Sequence, residues 1–285
     1  MGDRNGCCRQ TEINDLYADR RSGVGGAALR ELSWSDPEVS EGLRAIGAAT
    51  PFCYGLTNYV AANLSANVLL AVGASPAIGA MPGAPAAFGA GASAVWINTA
   101  ALMSSGPDTL TDAAGSAHSA GTPWVLDPVA FGAGAAAYDE IVRSLLAYRP
   151  TAIRGNASEL IALGGGAGGR GVDSTADSAE AVPVITELAK RAGAVVAVSG
   201  PIDYVTDGDT TIAVPGGDPR LTRVTGAGCA LGALTAAALA AIDDRLTAVA
   251  VAHALYAEAA NRARPVRGSG SFAVALVDEL SLLAE

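Results

Sequence analysis

Short apolar runs alternate with longer stretches of helical period along most of the chain. "AVWINT" (94–99), "PWVLDPV" (123–129), "TAIRG" (151–155) and "AVVAVSG" (194–200) have the length and β-branched content of strands buried on both faces. Between them, "DTLTDAAGSAHSAG", "AAAYDEIVRSLLAYRP" and "TADSAEAVPVITELAKRAG" carry helical patterns, the last interrupted near Pro183. "SDPEVSEGLRAIGAATP" predicts a short amphipathic helix that begins after Pro37 and ends before Pro51. In "DYVTDGDTTIAVPGG" (203–217) two short runs flank Asp207-Gly208, a dipeptide that favours a type I′ turn, which predicts an antiparallel flap at one edge of a sheet. Later helices are expected after the glycine-rich "VTGAGC", over "RLTAVAVAHALYAEAANRA" and in "SFAVALVDELSLLA", whereas the glycines and prolines of "GAMPGAPAAFGAGA" weaken a helix there. Strand and helix alternating at this interval imply right-handed βαβ units. The fold class is therefore α/β, with a mainly parallel central sheet flanked by helices on both faces. In such folds ligands collect at the carboxyl ends of the strands.

Residues 1–35 are polar, charged and without sustained apolar period, and are expected to be a mobile extension ahead of a single domain spanning 36–285. Half of the 285 residues are hydrophobic, enough for a sizeable core. The net charge of −10 and the absence of a basic cluster interleaved with aromatics argue against a nucleic-acid surface. An acidic protein can still bind a nucleotide through backbone amides and a metal ion. The four cysteines, Cys7, Cys8, Cys53 and Cys229, have neither zinc spacing nor the density of a disulfide scaffold. With no apolar leader and no long apolar run, neither secretion nor a membrane span is expected, and a reduced cytoplasmic setting fits.

The strand ends hold the candidate chemistry. Asp127 closes "PWVLDPV" where a carboxylate can bind hydrated Mg²⁺, or can merely end the strand as an Asp-Pro turn. Asn156 and Glu159 in "RGNASEL" match a capping box, yet Glu159 would share a crevice with Asp127, and Arg154 could meet nucleotide phosphates. Gly226, Ala227 and Gly228 lead into a helix whose first amides form an anion hole for a transferring phosphoryl group. The turn lacks the Lys-Ser/Thr of a Walker A loop, and Leu231 stands where a dinucleotide fingerprint needs its third glycine. Cys229 heads that helix, where the dipole is expected to lower the thiol pKa; the competing reading is a small buried hydrophobe. His118 and His253 lie in helical patterns, and neither is an obvious base for a thiol nucleophile.

"LTNYVAANLSANVLLAVGASPAI", "VLDPVAFGAG", "RPTAIRGNASELIAL", "GGRGVD", "VSGPIDYVTDG" and "VTGAGCALGALTAA", in this order and spacing, resemble hydroxyethylthiazole kinases of thiamin salvage, from about residue 50 to the C-terminus. The resemblance implies a ribokinase-like fold, a homotrimer with active sites at subunit interfaces, and ATP- and Mg²⁺-dependent phosphorylation of 4-methyl-5-(2-hydroxyethyl)thiazole. It further implies nucleotide contacts at Arg154 and Ser199, metal contacts at Asp127 and Glu159, and a substrate contact at Gly226. Asn58 would line the thiazole pocket or cap a helix. Related sugar kinases carry an aspartate base where this chain has Cys229, so the thiol would serve as a weak base or a positioning group. Ile78 replaces the family's usual methionine against the thiazole ring, which leaves reaction class firmer than substrate preference. Two other readings remain open: a ribokinase-like kinase or ATP-dependent NAD(P)HX dehydratase acting on another substrate, and a silent ligand-binding protein.

Overall fold

The computed structural model describes residues 28–166 and 177–285. The "GGRGVD" motif and residues 1–27 of the expected extension lie outside the described residues. Among the described residues nine strands form one sheet: β1 (Ala28–Glu31), β2 (Phe52–Leu56), β3 (Ser75–Ile78), β4 (Ala94–Asn98), β5 (Trp124–Asp127), β6 (Ala152–Asn156), β7 (Val195–Ser199), β8 (Ile202–Thr206) and β9 (Thr210–Pro215). Their spatial order is β1-β9-β8-β7-β6-β5-β4-β2-β3. Only β8 runs antiparallel to its neighbours.

Alternation along the strands sorts two cores. Val95, Ile97, Trp124, Leu126, Ile153, Val196 and Val198 face one layer, made by α3 (Ala84–Gly91), α4 (Pro107–Ala120), α5 (Ala136–Leu145), α6 (Ala157–Leu163) and α7 (Ser178–Ala192). Trp96, Val125, Ala152, Val195 and Ala197 face the other, made by α1 (Pro37–Ala49), α2 (Tyr59–Ala71), α8 (Ala227–Ala241), α9 (Arg245–Arg262) and α10 (Ser269–Ala284). This is the doubly covered, mainly parallel sheet that the sequence predicts. Period 2 on β4 to β7 puts Asn98, Asp127, Arg154 and Ser199 on the face of α8.

Four details differ from the reading of the sequence. Residues 28–31 of the expected extension form edge strand β1, and Leu32 donates its backbone N–H to Ala213 at 2.9 Å and is buried. The hairpin is consequently internal to the sheet rather than an edge flap. Its connection is also not a type I′ turn, since Gly208 takes a positive φ (102°) but Asp207 does not. Asp207 Oδ1 accepts the amides of Asp209 and Thr210 instead, a side-chain turn that supplies the reversal. Third, α7 runs unbroken through Pro183. The proline faces solvent, where water can satisfy the one carbonyl that loses its partner. Finally, α3 forms in spite of its glycines, its left-handed N-cap being Gly83 (φ 81°).

Candidate functional site

Neighbouring strands deliver a polar cluster to the head of α8. Asn98, Asp127 and Ser199 end β4, β5 and β7, and Arg154 lies in β6 two residues before its end. Arg154 holds the centre: Nη1 donates to Asp127 Oδ2 at 3.3 Å and to the Gly228 carbonyl at 3.0 Å, while Nη2 donates to Ser199 Oγ at 2.9 Å. The guanidinium and Asp127 are both buried. Burial opposes its charge, but the anions Asp127 and Glu159 outweigh that penalty and raise its pKa, so it is a fixed cation. Burial likewise pushes Asp127 upward, against Arg154 and Asn98, which favour its anion.

The sequence of α8 fits this cluster. Its glycines lie one turn apart at the contact: a Cβ on Gly228 would be 3.2 Å from Arg154 Nη1, and one on Gly232 would be 3.5 Å from Asp127 Oδ2. Gly226 caps the helix at φ 83°. The Ala227 amide is taken by the Val224 carbonyl at 3.2 Å, and the first helical bond runs from Ala230 N–H to the Gly226 carbonyl at 2.8 Å. Gly228 and Cys229 are the next residues of the first turn, where helix geometry leaves backbone amides without an intrahelical acceptor. Gly228 thus has two roles, an amide in the first turn and a carbonyl that fixes Arg154.

Cys229 corrects the dipole argument. Burial pushes its thiol up to about 12, and the Asp127 charge adds to the effect, whereas Arg154 and Asn98 counter it only in part. Desolvation exceeds what one helix end contributes, and at neutral pH the group is an S–H, not a thiolate. We expect Cys229→Ser to lower kcat about three- to tenfold with nucleotide affinity unchanged. Peptide-resolved alkylation at about pH 8 should leave Cys229 unmodified in the native protein. An unaltered rate in the serine variant would remove the thiol from the mechanism.

Glu159 is the capping box that the spacing predicts: Asn156 Oδ1 accepts the Glu159 amide and Glu159 Oε2 accepts the Asn156 amide, both at 2.9 Å. Its other oxygen accepts the Ala130 amide at 2.8 Å, holding that residue in a left-handed conformation (φ 60°). Burial, then the nearby charge of Asp127, push Glu159 up to about 7 against these amides and Arg154. Asp127 Oδ1 is buried with no hydrogen-bond partner among the described residues, an acceptor whose chemistry suits a cation. Among the described residues no three His, Cys, Asp or Glu side chains gather as a cage. The donor set therefore fits a metal that keeps most of its water and borrows ligands from substrate, as Mg²⁺ does.

Sequence reasoning missed Asn98, whose Nδ2 donates to Asp127 Oδ2 at 2.9 Å and whose Oδ1 accepts the Ala100 amide at 3.1 Å. An asparagine that closes a buried strand was the available sign. It also missed Tyr256, whose hydroxyl donates to the Ala227 carbonyl at 2.8 Å and pins the first turn of α8 from α9. Nothing in the pattern of α9 distinguishes that tyrosine from core. Asn58 caps α2, accepting the Ala61 amide at 2.9 Å, and Ile78 ends β3, partly buried against the core. Neither is hydrogen-bonded to the Arg154 cluster. No helix of the described residues is long and apolar enough to cross a membrane.

The family model described as "Hydroxyethylthiazole kinase family" matches residues 43–285. The chain is 68% identical over 256 residues to "Hydroxyethylthiazole kinase" of Burkholderia pseudomallei (strain 668), covering 90% of this chain and 93% of that protein. It is 46% identical to the protein of the same name from Leptospira interrogans serogroup Icterohaemorrhagiae serovar copenhageni (strain Fiocruz L1-130), covering 89% and 96%. The solved hydroxyethylthiazole kinase of Pyrococcus horikoshii OT3 superposes with a TM-score of 0.76 at 31% identity, over 87% of this chain and 94% of that one. An ADP complex of Bacillus subtilis pyridoxal kinase, at 17% identity and a TM-score of 0.55 over 74% and 91%, shares the fold.

Proposed function

This chain belongs to the hydroxyethylthiazole kinase family, and from that premise we propose how its side chains carry phosphoryl transfer to the hydroxyl of 4-methyl-5-(2-hydroxyethyl)thiazole. The fold is ribokinase-like and the enzyme is a kinase; the phosphoryl donor of our reading is ATP, with Mg²⁺. What carries the reading is the convergence of Asn98, Asp127, Arg154 and Ser199 from four adjacent strands on the glycine turn at the head of α8.

Arg154, fixed from three sides, offers a positive surface to the nucleotide phosphates next to Ser199. The amides of Gly228 and Cys229 receive the migrating phosphoryl oxygens without reorganising. Asp127 Oδ1, with Glu159 through water, would hold the metal, which supplies charge neutralisation for the phosphates when bound. The Cys229 thiol orients the acceptor hydroxyl through hydrogen bonding. A loose transition state asks little of a base: the neutral thiol only aligns the hydroxyl, whose oxygen bonds to phosphorus as the bond to ADP breaks, and the hydroxyl proton leaves to a transferred phosphoryl oxygen or to water. Asn58 and Ile78 line the thiazole end. Tyr59 and Val60, directly after Asn58, are exposed large apolar residues, as is Met81, and in our reading a second copy covers them in a homotrimer.

A coupled ADP-release assay with the thiazole alcohol, a pyrimidine alcohol, a sugar and hydrated NADH tests the assignment. Turnover fastest with the thiazole supports it; turnover only with another substrate, or binding without turnover, replaces it.

Glu159 sets a pH dependence. Its folded pKa of about 7 exceeds the unfolded value, so its contribution favours the metal-free fold at low pH and is lost as pH rises through about 7. A cation competes with that proton. The rise in Tm given by Mg²⁺ should therefore widen from about pH 5.5 to about pH 8. A rise independent of pH would take Glu159 out of the metal site.

A further inference from the structure

His253 is a fully buried imidazole on α9 that the chemistry above does not use. Its Nδ1 lies 2.7 Å from Asp203 Oδ2. An ionised carboxylate only accepts, so Nδ1 carries the proton and donates it. His253 Nε2 is buried with no partner among the described residues, so the Asp203 bond is what orients the ring. The other Asp203 oxygen, Oδ1, accepts the Gly200 amide at 2.8 Å. Asp203 thus joins the buried helix to the first residue after β7, and that residue follows Ser199, the partner of Arg154 Nη2. Across the same turn Ser178 Oγ donates to the Ile202 carbonyl at 2.7 Å, and a Cβ on Gly200 would be 2.3 Å from that hydroxyl. The turn from Ser199 to Asp203 is clamped between α7 and α9, with no room to shift toward α7. The charge of Asp203 also reaches Arg154.

We propose that His253 is a positioning residue for the nucleotide site: through Asp203 it fixes the Gly200 turn and so sets Ser199 Oγ against Arg154. The proposal rests on the reading of Arg154 and Ser199 as nucleotide contacts. A histidine serves because its Nδ1–H reaches the carboxylate from a helix packed flush on the sheet. Asparagine, whose side-chain amide can stand where Nδ1 does, should substitute; alanine should not.

The test uses the full chain. His253→Ala is expected to raise KM for ATP, and the calorimetric Kd of ATP without acceptor, about five- to tenfold, with kcat lowered less than threefold. In nucleotide-free protein, amide exchange in the peptide spanning 199–203 should quicken by a similar factor while the β4 and β5 peptides stay unchanged. His253→Asn should restore both within about twofold. Should His253→Ala not fold, Asp203→Ala against His253→Asn gives the same comparison from the less buried end of the pair. A lower Tm with unchanged Kd and unchanged exchange overturns the proposal. Ser199→Ala and Arg154→Met serve as controls: if neither weakens ATP, the nucleotide reading itself fails, whereas if both do and His253→Ala does not, only the positioning role fails.

Discussion

Gly226→Val is expected to lose at least about a hundredfold in kcat/KM, together with a drop in Tm. The residue has φ 83°, where a β-branched side chain is disfavoured by more than the ~1–2 kcal/mol charged to ordinary L residues. A Cβ there would lie 2.9 Å from Ala61 Cα and 3.1 Å from Ala61 Cβ, so backbone on α2, not a flexible tip, must give way. The relief open to the chain is to rotate the first turn of α8, which misaims the Gly228 and Cys229 amides. Loss of one preorganised donor alone costs about 10²–10³ in rate. Gly226→Ala keeps the backbone penalty with a smaller clash and should fall between the two. The ADP-release assay and a thermal melt measure both effects. Full activity in the valine variant would end the anion-hole account.

Asp127→Asn should be nearly as damaging, for a different reason. It removes the anion that faces a buried Arg154 at 3.3 Å. Stripping one partner from a buried ion pair typically costs about 3–5 kcal/mol, since the remaining charge stays desolvated. Arg154 Nη1 and Asn98 Nδ2 both donate to Oδ2, so the one oxygen that asparagine keeps must face them and its NH2 replaces the acceptor offered to a metal at Oδ1; turnover should fall about a thousandfold or more. The two losses separate in a cycle. Adding Arg154→Met to Asp127→Asn should recover much of the stability, because no charge is then left buried, but none of the activity. Denaturant melts and turnover of the four proteins decide it; recovery of turnover in the double variant would remove both side chains from the catalytic machinery.

The scaffold was legible where period and length agree. β4, β5 and β7 are short runs, apolar up to the polar residue that ends each, and β6 opens apolar before Arg154; two-sided burial explains both their hydropathy and their parallel pairing. Asp127, Glu159 and Arg154 could be placed at one crevice because adjacent parallel strands end on a shared edge. Gly226 and Cys229 are legible in the glycine turn that heads their helix, and Ser199 only in the family resemblance. Three kinds of information were not local. Whether Cys229 ionises depends on how much water its helix excludes, which the glycine turn does not reveal. The roles of Tyr256 and His253 come from α9 packing behind the site, and along α9 each reads as one more core position. The strand at Ala28–Glu31 escaped because its pairing with β9 spans most of the chain, and four residues show too little alternation to declare an element.

That strand has a practical corollary for anyone trimming the gene. Beyond its ladder to β9, the segment is tied down by the Arg30 to Glu38 ion pair at 2.9 Å and by Arg262 lying over the Trp34 ring. A shortened version starting at residue 36 would strip the outermost row from the sheet and bare the polar backbone of Thr210–Ala213. Naked ladders of this kind recruit strands from other molecules, so the trimmed protein would tend to clump in the test tube while its chemistry, several strands away, stayed whole.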